Sequence, residues 1–271
     1  MKLALFRHLW GIDLGLEEAF PRIKAAGYDG VEAALPPVNR RSHFKDLLAA
    51  YELQFIPVLF TRGRTVAEHI TSFWRQLEAA LKDFEPVVIT SRDGVDAWTE
   101  EQSIRYFQDV LSIEANHGVR VAHETQRGRI LFHPWITGRL IERFEGLMLC
   151  GDFSHWVCVC ERLLEDQAPL LERCAARTLH LHARVGYAQG PQVPDPRLPR
   201  YRDALAAHEH WWDRVWDAQE RQGLATTTLT PEFGPPPYLH IHPQTGEPLA
   251  DLWEVCDWMA RRQADRFAAR A

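Results

Sequence analysis

Cysteine is scarce in this chain: Cys150, Cys158, Cys160, Cys174 and Cys256 are the five among 271 residues. An odd and sparse set does not make a disulfide framework, and it fits a reducing, cytoplasmic setting. Cys158 and Cys160 stand two apart, on different faces of a helix, and read as small buried hydrophobes rather than a metal or redox pair. Long apolar runs are missing too, and none approaches the length that crosses a bilayer. Positive charge is not in excess. Against 37 Asp and Glu there are 31 Lys and Arg, a formal net charge of -6. That gives no electrostatic pull toward nucleic acid or an anionic membrane. The opening MKLALFRHLWGIDLGLEEAF carries Arg7, His8, Asp13, Glu17 and Glu18 and no A-x-A-like cleavage site. It reads as a strand and a helix, not a secretory leader.

What is present is a regular alternation. Hydrophobic residues make up 46% and charged residues 25% of the chain, ordinary for a globular protein able to bury a sizeable core. Short apolar runs at 3–7, 29–35, 53–60, 86–91, 119–125, 147–153, 177–185 and 225–233 read as strands. Amphipathic stretches at 14–27, 42–52, 66–84, 99–118, 135–144, 157–176, 204–223 and 249–270 read as helices. Punctuation supports the boundaries: Gly27 and Gly118 as stops, Ser42 as an N-cap, Thr99 with Gln102 as a capping box, and a break near Pro169. Eight alternating units imply parallel strands joined by crossovers, and predict one (β/α)₈ TIM-barrel domain over residues 1–271. An open doubly wound sheet would show a Gly-rich phosphate turn after the first strand, where this chain has FRHLWGIDLG.

Such a barrel does its chemistry at the C-terminal ends of its strands. The polar residues there are His8; Glu32; Arg92; His123 and Glu124; Asp152, with His155 just beyond; His180, His182 and Arg184; and Glu232. Glu124, Asp152, His182 and Glu232 come from four consecutive strands, so their tips can converge. Three carboxylates and one imidazole suit a hard divalent ion better than a structural zinc. Two carboxylates flanking a metal can also serve as acid and base. His180 shares a face with His182 one layer deeper, which predicts a packed or supporting role. His123 should point outward into packing. Glu32 either binds substrate or pairs with a basic residue in the barrel mouth. His8, Arg92 and Arg184 are candidates to bind substrate oxygens, or else structural ion-pair partners. Trp211, Trp212 and Trp216 on one helix read as core, with subunit contact or a lid as the alternative.

Four segments in order carry a family resemblance: HETQRGR (123–129), GDFSHW (151–156), HLHAR (180–184) and PEF (231–233). With GYDGVEAAL at 27–35, the chain resembles the sugar isomerase/epimerase superfamily built on the xylose-isomerase-like barrel, over nearly its whole length. The resemblance implies one divalent metal, Mn²⁺ foremost, with Mg²⁺, Co²⁺, Fe²⁺ or Zn²⁺ as alternatives. Its ligands would be Glu124, Asp152, His182 and Glu232, with the two glutamates doubling as proton shuttles and His155 facing substrate. The chain departs from the family pattern at Gln126, where relatives often have His, at Arg92, again often His, and at Ala188, where some epimerases place a substrate-binding Arg.

The expected activity is a metal-dependent sugar isomerase or epimerase. It would act on a small sugar or polyol ketone by removing a proton beside a chelated carbonyl to give an enediolate, with Glu124 and Glu232 catalytic and His155, Arg184, His8, Arg92 and Glu32 binding substrate. An inosose-dehydratase-like lyase is the alternative, with His155 as acid. An apurinic-site endonuclease would need further His ligands on the early strands and a basic face, and a non-catalytic metal sensor lacks an appended domain. Neither nucleic acid nor membrane is expected as a partner. A homodimer or homotetramer is possible, with the 186–203 loop, rich in Gly and Pro, as a cover over the site or a subunit arm.

Overall fold

A computed structural model describes residues 1–270. Eight strands, β1 (Lys2–His8), β2 (Gly30–Ala34), β3 (Gln54–Phe60), β4 (Ile89–Arg92), β5 (Val121–Glu124), β6 (Met148–Gly151), β7 (Thr178–His182) and β8 (Thr226–Thr230), pair in parallel in chain order. β1 also pairs with β8, which closes the barrel. Outside it lie nine α-helices among the described residues: α1 (Leu16–Ala25), α2 (Arg41–Ala50), α3 (Val66–Asp83), α4 (Glu100–His117), α5 (Pro134–Arg143), α6 (Phe153–Cys160), α7 (Ala168–Ala175), α8 (Arg202–Arg221) and α9 (Leu252–Ala268). The fold is the TIM barrel that the alternation predicts. No helix among the described residues is long and apolar enough to cross a membrane.

Strand residues alternate between two environments because the side-chain period is two. Ala4, Phe6 and Ile56 pack together inside the barrel. The intervening residues meet the helices, where Leu59, Val121, Leu149, Leu181 and Leu229 join a larger core. Burying one such side chain contributes about 1.5–3 kcal/mol. Trp212 and Trp216 of α8 are fully buried in this layer and Trp211 nearly so, so the tryptophan helix is core.

Local signals explain some boundaries and miss others. Thr99 accepts from Gln102 N, and its own N–H donates to Gln102 Oε1, the reciprocal box that starts α4. Gly118 ends that helix in the left-handed region, with φ 66°. Ser42 is not an N-cap: α2 begins one residue earlier, after Arg40, and has no side-chain cap. The single helix expected at 157–176 is two. The break falls before Pro169, at Glu161 and Leu164, both left-handed (φ 52° and 47°), while Pro169 sits in the first turn of α7, where its missing N–H costs nothing. Cys158 and Cys160 are half-buried rather than buried.

The 186–203 segment packs onto the C-terminal face of the barrel. Gln192 is buried and clasps Gly234: its Nε2 donates to Gly234 O (3.0 Å), and Gly234 N donates to its Oε1 (2.7 Å). The segment's base is tied to α8 through His208, whose Nδ1–H donates to Ala204 O (2.8 Å) while Nε2 accepts from Gly186 N (3.2 Å). Burial pushes His208 down to about 4, outweighing its hydrogen bond to Ala204. A histidine held below its unfolded value of about 6.5 binds fewer protons folded than unfolded in that window. Its stabilisation is therefore complete above pH 6.5 and lost as pH falls toward 4. Thermal melts across pH 6.5 to 4 are expected to show a loss of up to about 3 kcal/mol from this group. The slope should shrink in His208→Gln; an unchanged slope would contradict the assignment.

Candidate metal centre and active site

The strand tips bring the sequence-predicted residues to one place. Glu124 is the last residue of β5 and His182 of β7. Asp152 directly follows β6, and Glu232 stands two residues beyond β8. Arg92 ends β4, His8 ends β1, and Glu32 lies in β2. Each of Glu124, Asp152, His182 and Glu232 offers a donor atom within 4.8 Å of the others, and all four are buried.

Three of those donors point at a common space. His182 Nδ1 lies 3.2 Å from Glu232 Oε2 and 3.5 Å from Glu124 Oε1. None of these three atoms has a hydrogen-bond partner among the described residues. Around an ion bound at about 2.1 Å, neighbouring donors sit about 3 Å apart. The observed spacings are close to that, and orphaned buried polar atoms are costly unless something fills the space. The donor set fits a divalent cation.

Glu32 fixes the direction of His182. The Nε2–H of His182 donates to Glu32 Oε1 (2.9 Å), which also accepts from Thr90 Oγ1 (3.0 Å). With Nε2–H given to Glu32, Nδ1 is the atom turned toward Glu124 and Glu232. Burial pushes this imidazole down, but the surrounding acidic groups outweigh it and raise it well above its ordinary value, so a bound cation would take the place of the Nδ1 proton. Glu32 Oε2 is taken by His180 Nε2 (3.2 Å), and His180 Nδ1 pairs with Thr228 Oγ1 (2.7 Å). Glu32 is thus not placed to bind substrate, because both its oxygens are engaged inside the barrel; it pairs with basic residues, the other role its position allowed. His180 sits one layer below, as a support. His123 points outward, between Asp93 and Glu114 and against Phe73 and Phe107.

Two arginines neutralise the carboxylates. Arg92 Nε donates to Glu124 Oε2 (2.6 Å) and its Nη2 to Glu232 Oε1 (2.5 Å). Each glutamate therefore gives one oxygen to Arg92 and turns the other toward His182. Arg184 Nη2 donates to Asp152 Oδ2 and to His155 Nε2 (2.7 Å), and lies 3.2 Å from Glu232 Oε2. Its side chain is fully buried, so the structure shows Arg184 as a partner of the acidic cluster rather than an open substrate contact. Asp152 is the most engaged of the four. Its Oδ1 accepts from Ser154 N (3.1 Å) and Ser154 Oγ (2.5 Å), which makes it the N-cap of α6 as well. His155 follows on α6, not in a loop.

The electrostatics follow. Burial pushes Asp152 up; Arg184 opposes this, but with Glu232 and Glu124 alongside, its carboxyl stands at about 6. Burial also acts on Glu232, but His182, Arg92 and Arg184 together hold it well below the usual carboxylate range. Burial and then Arg184 push His155 well below its ordinary value, so it is neutral. It presents an unpartnered Nδ1. Burial and Arg7 do the same to His8.

Residues outside the sequence expectation complete the site. Tyr238, from the segment after β8, lies beside Arg184 (5.0 Å) and Arg127 (5.2 Å), and its ring meets His155 edge-on at 6.3 Å. Trp10 packs edge-on against Tyr238 at 5.1 Å. A Cβ at Gly234 would lie 2.1 Å from the Trp10 ring, so the PEFG turn requires glycine there. A cavity of about 410 Å³ opens beside Glu232, bordered by His8, Glu32, Arg92, Trp10 and Phe60. Another of about 460 Å³, near Leu171, Trp211 and Arg214, lies on the helical exterior and holds none of the four donors.

No family model and no curated protein matches the sequence. Solved structures do match in fold. One is an AP endonuclease of family 2 from Brucella melitensis: TM-score 0.61, 16% identity, covering 96% of this chain and 98% of that one. A D-allulose 3-epimerase from Methylomonas sp. gives 0.59 and 15%, covering 99% and 98%. A probable 3-DHS dehydratase from Bacillus anthracis gives 0.62 and 13%, covering 98% and 100%. The chemistry differs among the three, and what they share with this chain is architecture: the chain has the xylose-isomerase-like TIM-barrel fold.

Proposed function

We propose that the protein is a divalent-metal-dependent isomerase or epimerase that removes a proton beside the carbonyl of a small sugar or polyol ketone. The observation that carries this reading is the trio Glu124 Oε1, Glu232 Oε2 and His182 Nδ1, which face one space at 3.2–3.5 Å without a hydrogen-bond partner, Glu232 Oε2 having only the ionic contact of Arg184 at 3.2 Å. Glu124, His182 and Glu232 would hold the ion, with Asp152 as the fourth ligand once Arg184 yields its oxygen. A bound divalent ion supplies Lewis-acid polarisation of a carbonyl; Mn²⁺ or Mg²⁺ suits the oxygen-rich set.

The chain's own groups do the rest. A carboxylate oxygen of Glu124 or Glu232 takes the proton. The other glutamate returns one to the opposite face in epimerisation, or the same one returns it to the adjacent carbon in isomerisation. Arg92 fixes both glutamates in place, Arg92 and Arg184 help keep Glu232 ionised, and Arg92 can stabilise enediolate charge. Tyr238 and Trp10 border the mouth, Tyr238 against Arg184 and His155. The test is NMR in D₂O with metal-loaded protein and a panel of ketoses. Deuterium should enter at a carbon next to the carbonyl; no exchange across the panel would overturn the reading. Metal addition should also raise the melting temperature, since a ligand at 1,000 times its Kd adds about 4 kcal/mol.

A second reading is a lyase that expels a β-hydroxyl after the same proton abstraction. It is favoured by His155: Arg184 is bonded to its Nε2, so the ring's proton sits on the unpartnered Nδ1, which can hydrogen-bond a leaving hydroxyl while the protonated glutamate returns the abstracted proton to it. A product lighter by one water would select it. The nuclease reading is less well supported by this chain's residues. His43 is on the surface with Glu17, and His69 is bonded to Thr61 and Gly63, both away from the four donors.

A further inference from the structure

The cavity beside Glu232 is lined mostly by groups that cannot greet a hydroxyl. Leu9, Trp10, Ala33, Ala34, Val58 and Phe60 form its apolar wall. Four polar side chains share the lining, and three are already committed. Both oxygens of Glu32 are held by His180, His182 and Thr90. Arg92 spans Glu124 and Glu232, with its guanidinium over the Phe60 ring at 4.8 Å. Glu232 is the partner of Arg92 on one oxygen and faces His182 with the other. Two side-chain atoms of the lining lack a hydrogen-bond partner: His8 Nδ1, and Glu232 Oε2, which is turned away toward His182 Nδ1 and Arg184 Nη2, 3.2 Å from each.

From this we infer that the substrate is a deoxygenated or alkyl-bearing ketone, whose end remote from the carbonyl is a methyl or short hydrocarbon group. The inference rests on the ketone chemistry proposed at Glu124 and Glu232. A ketohexose placed with its carbonyl near those groups would push the hydroxyls of its far end into the apolar lobe. His8 could satisfy one. Each further hydroxyl would lose its water and gain no partner, a cost that weakens binding by about 10- to 100-fold per group. A methyl group in the same place fills the lobe against Val58 and Phe60 and gains apolar burial instead.

The test compares matched pairs on the metal-loaded full chain: D-fructose and D-allulose, each against its 6-deoxy counterpart. Calorimetry reads affinity, and proton exchange in D₂O is followed separately. The 6-deoxy member of a pair should bind about 10- to 100-fold more tightly. Val58→Thr, which puts a hydroxyl in the lobe at nearly the same volume, should reduce that preference. Ala34→Ser, at a more exposed position that leaves the core untouched, should reduce it in the same direction. Equal or weaker binding of the 6-deoxy member, or binding of neither, would overturn the inference. A 6-deoxy preference without exchange would support the lobe and overturn the proton-abstraction reading. Exchange without the preference would do the reverse.

Discussion

Glu232→Gln should reduce turnover by about 10²- to 10⁴-fold while the protein stays folded. Glutamine keeps the size and shape of the side chain but removes its charge and its ability to accept a substrate proton. It also weakens one of the atoms facing His182 Nδ1. Arg92 and Arg184, each within 3.2 Å of this carboxylate, would keep Glu124 and Asp152 as counter-charges. Removing its charge relieves repulsion on Asp152 but also gives up the attraction of His182, Arg92 and Arg184 that holds Glu232 well below the usual carboxylate range, so some stability goes with the activity. Measuring kcat/KM and the apo melting temperature together would check it. Turnover within a few-fold of the parent would show that Glu232 is not in the reaction.

The second large effect is structural. His123→Ala is expected to cost about 3–5 kcal/mol and to lower the melting temperature by about 10 °C. Burial alone would depress the imidazole, but Asp93 and Glu114 outweigh it and hold its pKa at about 10. The ring is therefore charged at neutral pH, with Nδ1 donating to Asp93 Oδ2 (2.7 Å) and Nε2 to Glu114 Oε1 (2.9 Å). The carboxylates are satisfied further by Ser91 and Tyr106 on Asp93 and by Val121 N on Glu114. Taking out the cation leaves two buried acids facing a hole. Replacing all three charges together, as His123→Leu with Asp93→Asn and Glu114→Gln, should cost much less, because no ion is then left unpaired. Chemical denaturation of both variants decides it; equal losses would mean that packing, not charge, is what His123 supplies. The network binds β4, β5 and α4 one residue from Glu124, so this stability also fixes the strand tip that carries Glu124.

The alternation of apolar and amphipathic segments made the barrel legible, because each unit must bury one face and parallel strands need crossovers. The convergence of Glu124, Asp152, His182 and Glu232 was legible for the same reason: strand ends of one barrel share one rim. Pairings across the barrel were not. Glu32 meets His180 and His182 across 148 and 150 residues of sequence, and no local pattern encodes which partner it finds. The helix expected from residue 157 starts earlier: Phe153, Trp156 and Val157 bury at helical spacing, so it begins within GDFSHW itself. Tyr238 gave no signal because its segment has neither strand nor helix periodicity, and only the closed barrel brings it beside Arg184 and His155.

The central claim is a metal centre formed by Glu124, His182 and Glu232 with Asp152, and direct titration of metal-free protein with Mn²⁺ tests it. One ion per chain should bind to the parent protein, and binding should be lost or weakened at least 100-fold in Glu124→Gln/Glu232→Gln, with the fold retained. A parent protein that takes up no ion, or a double variant that binds as the parent does, would contradict the account.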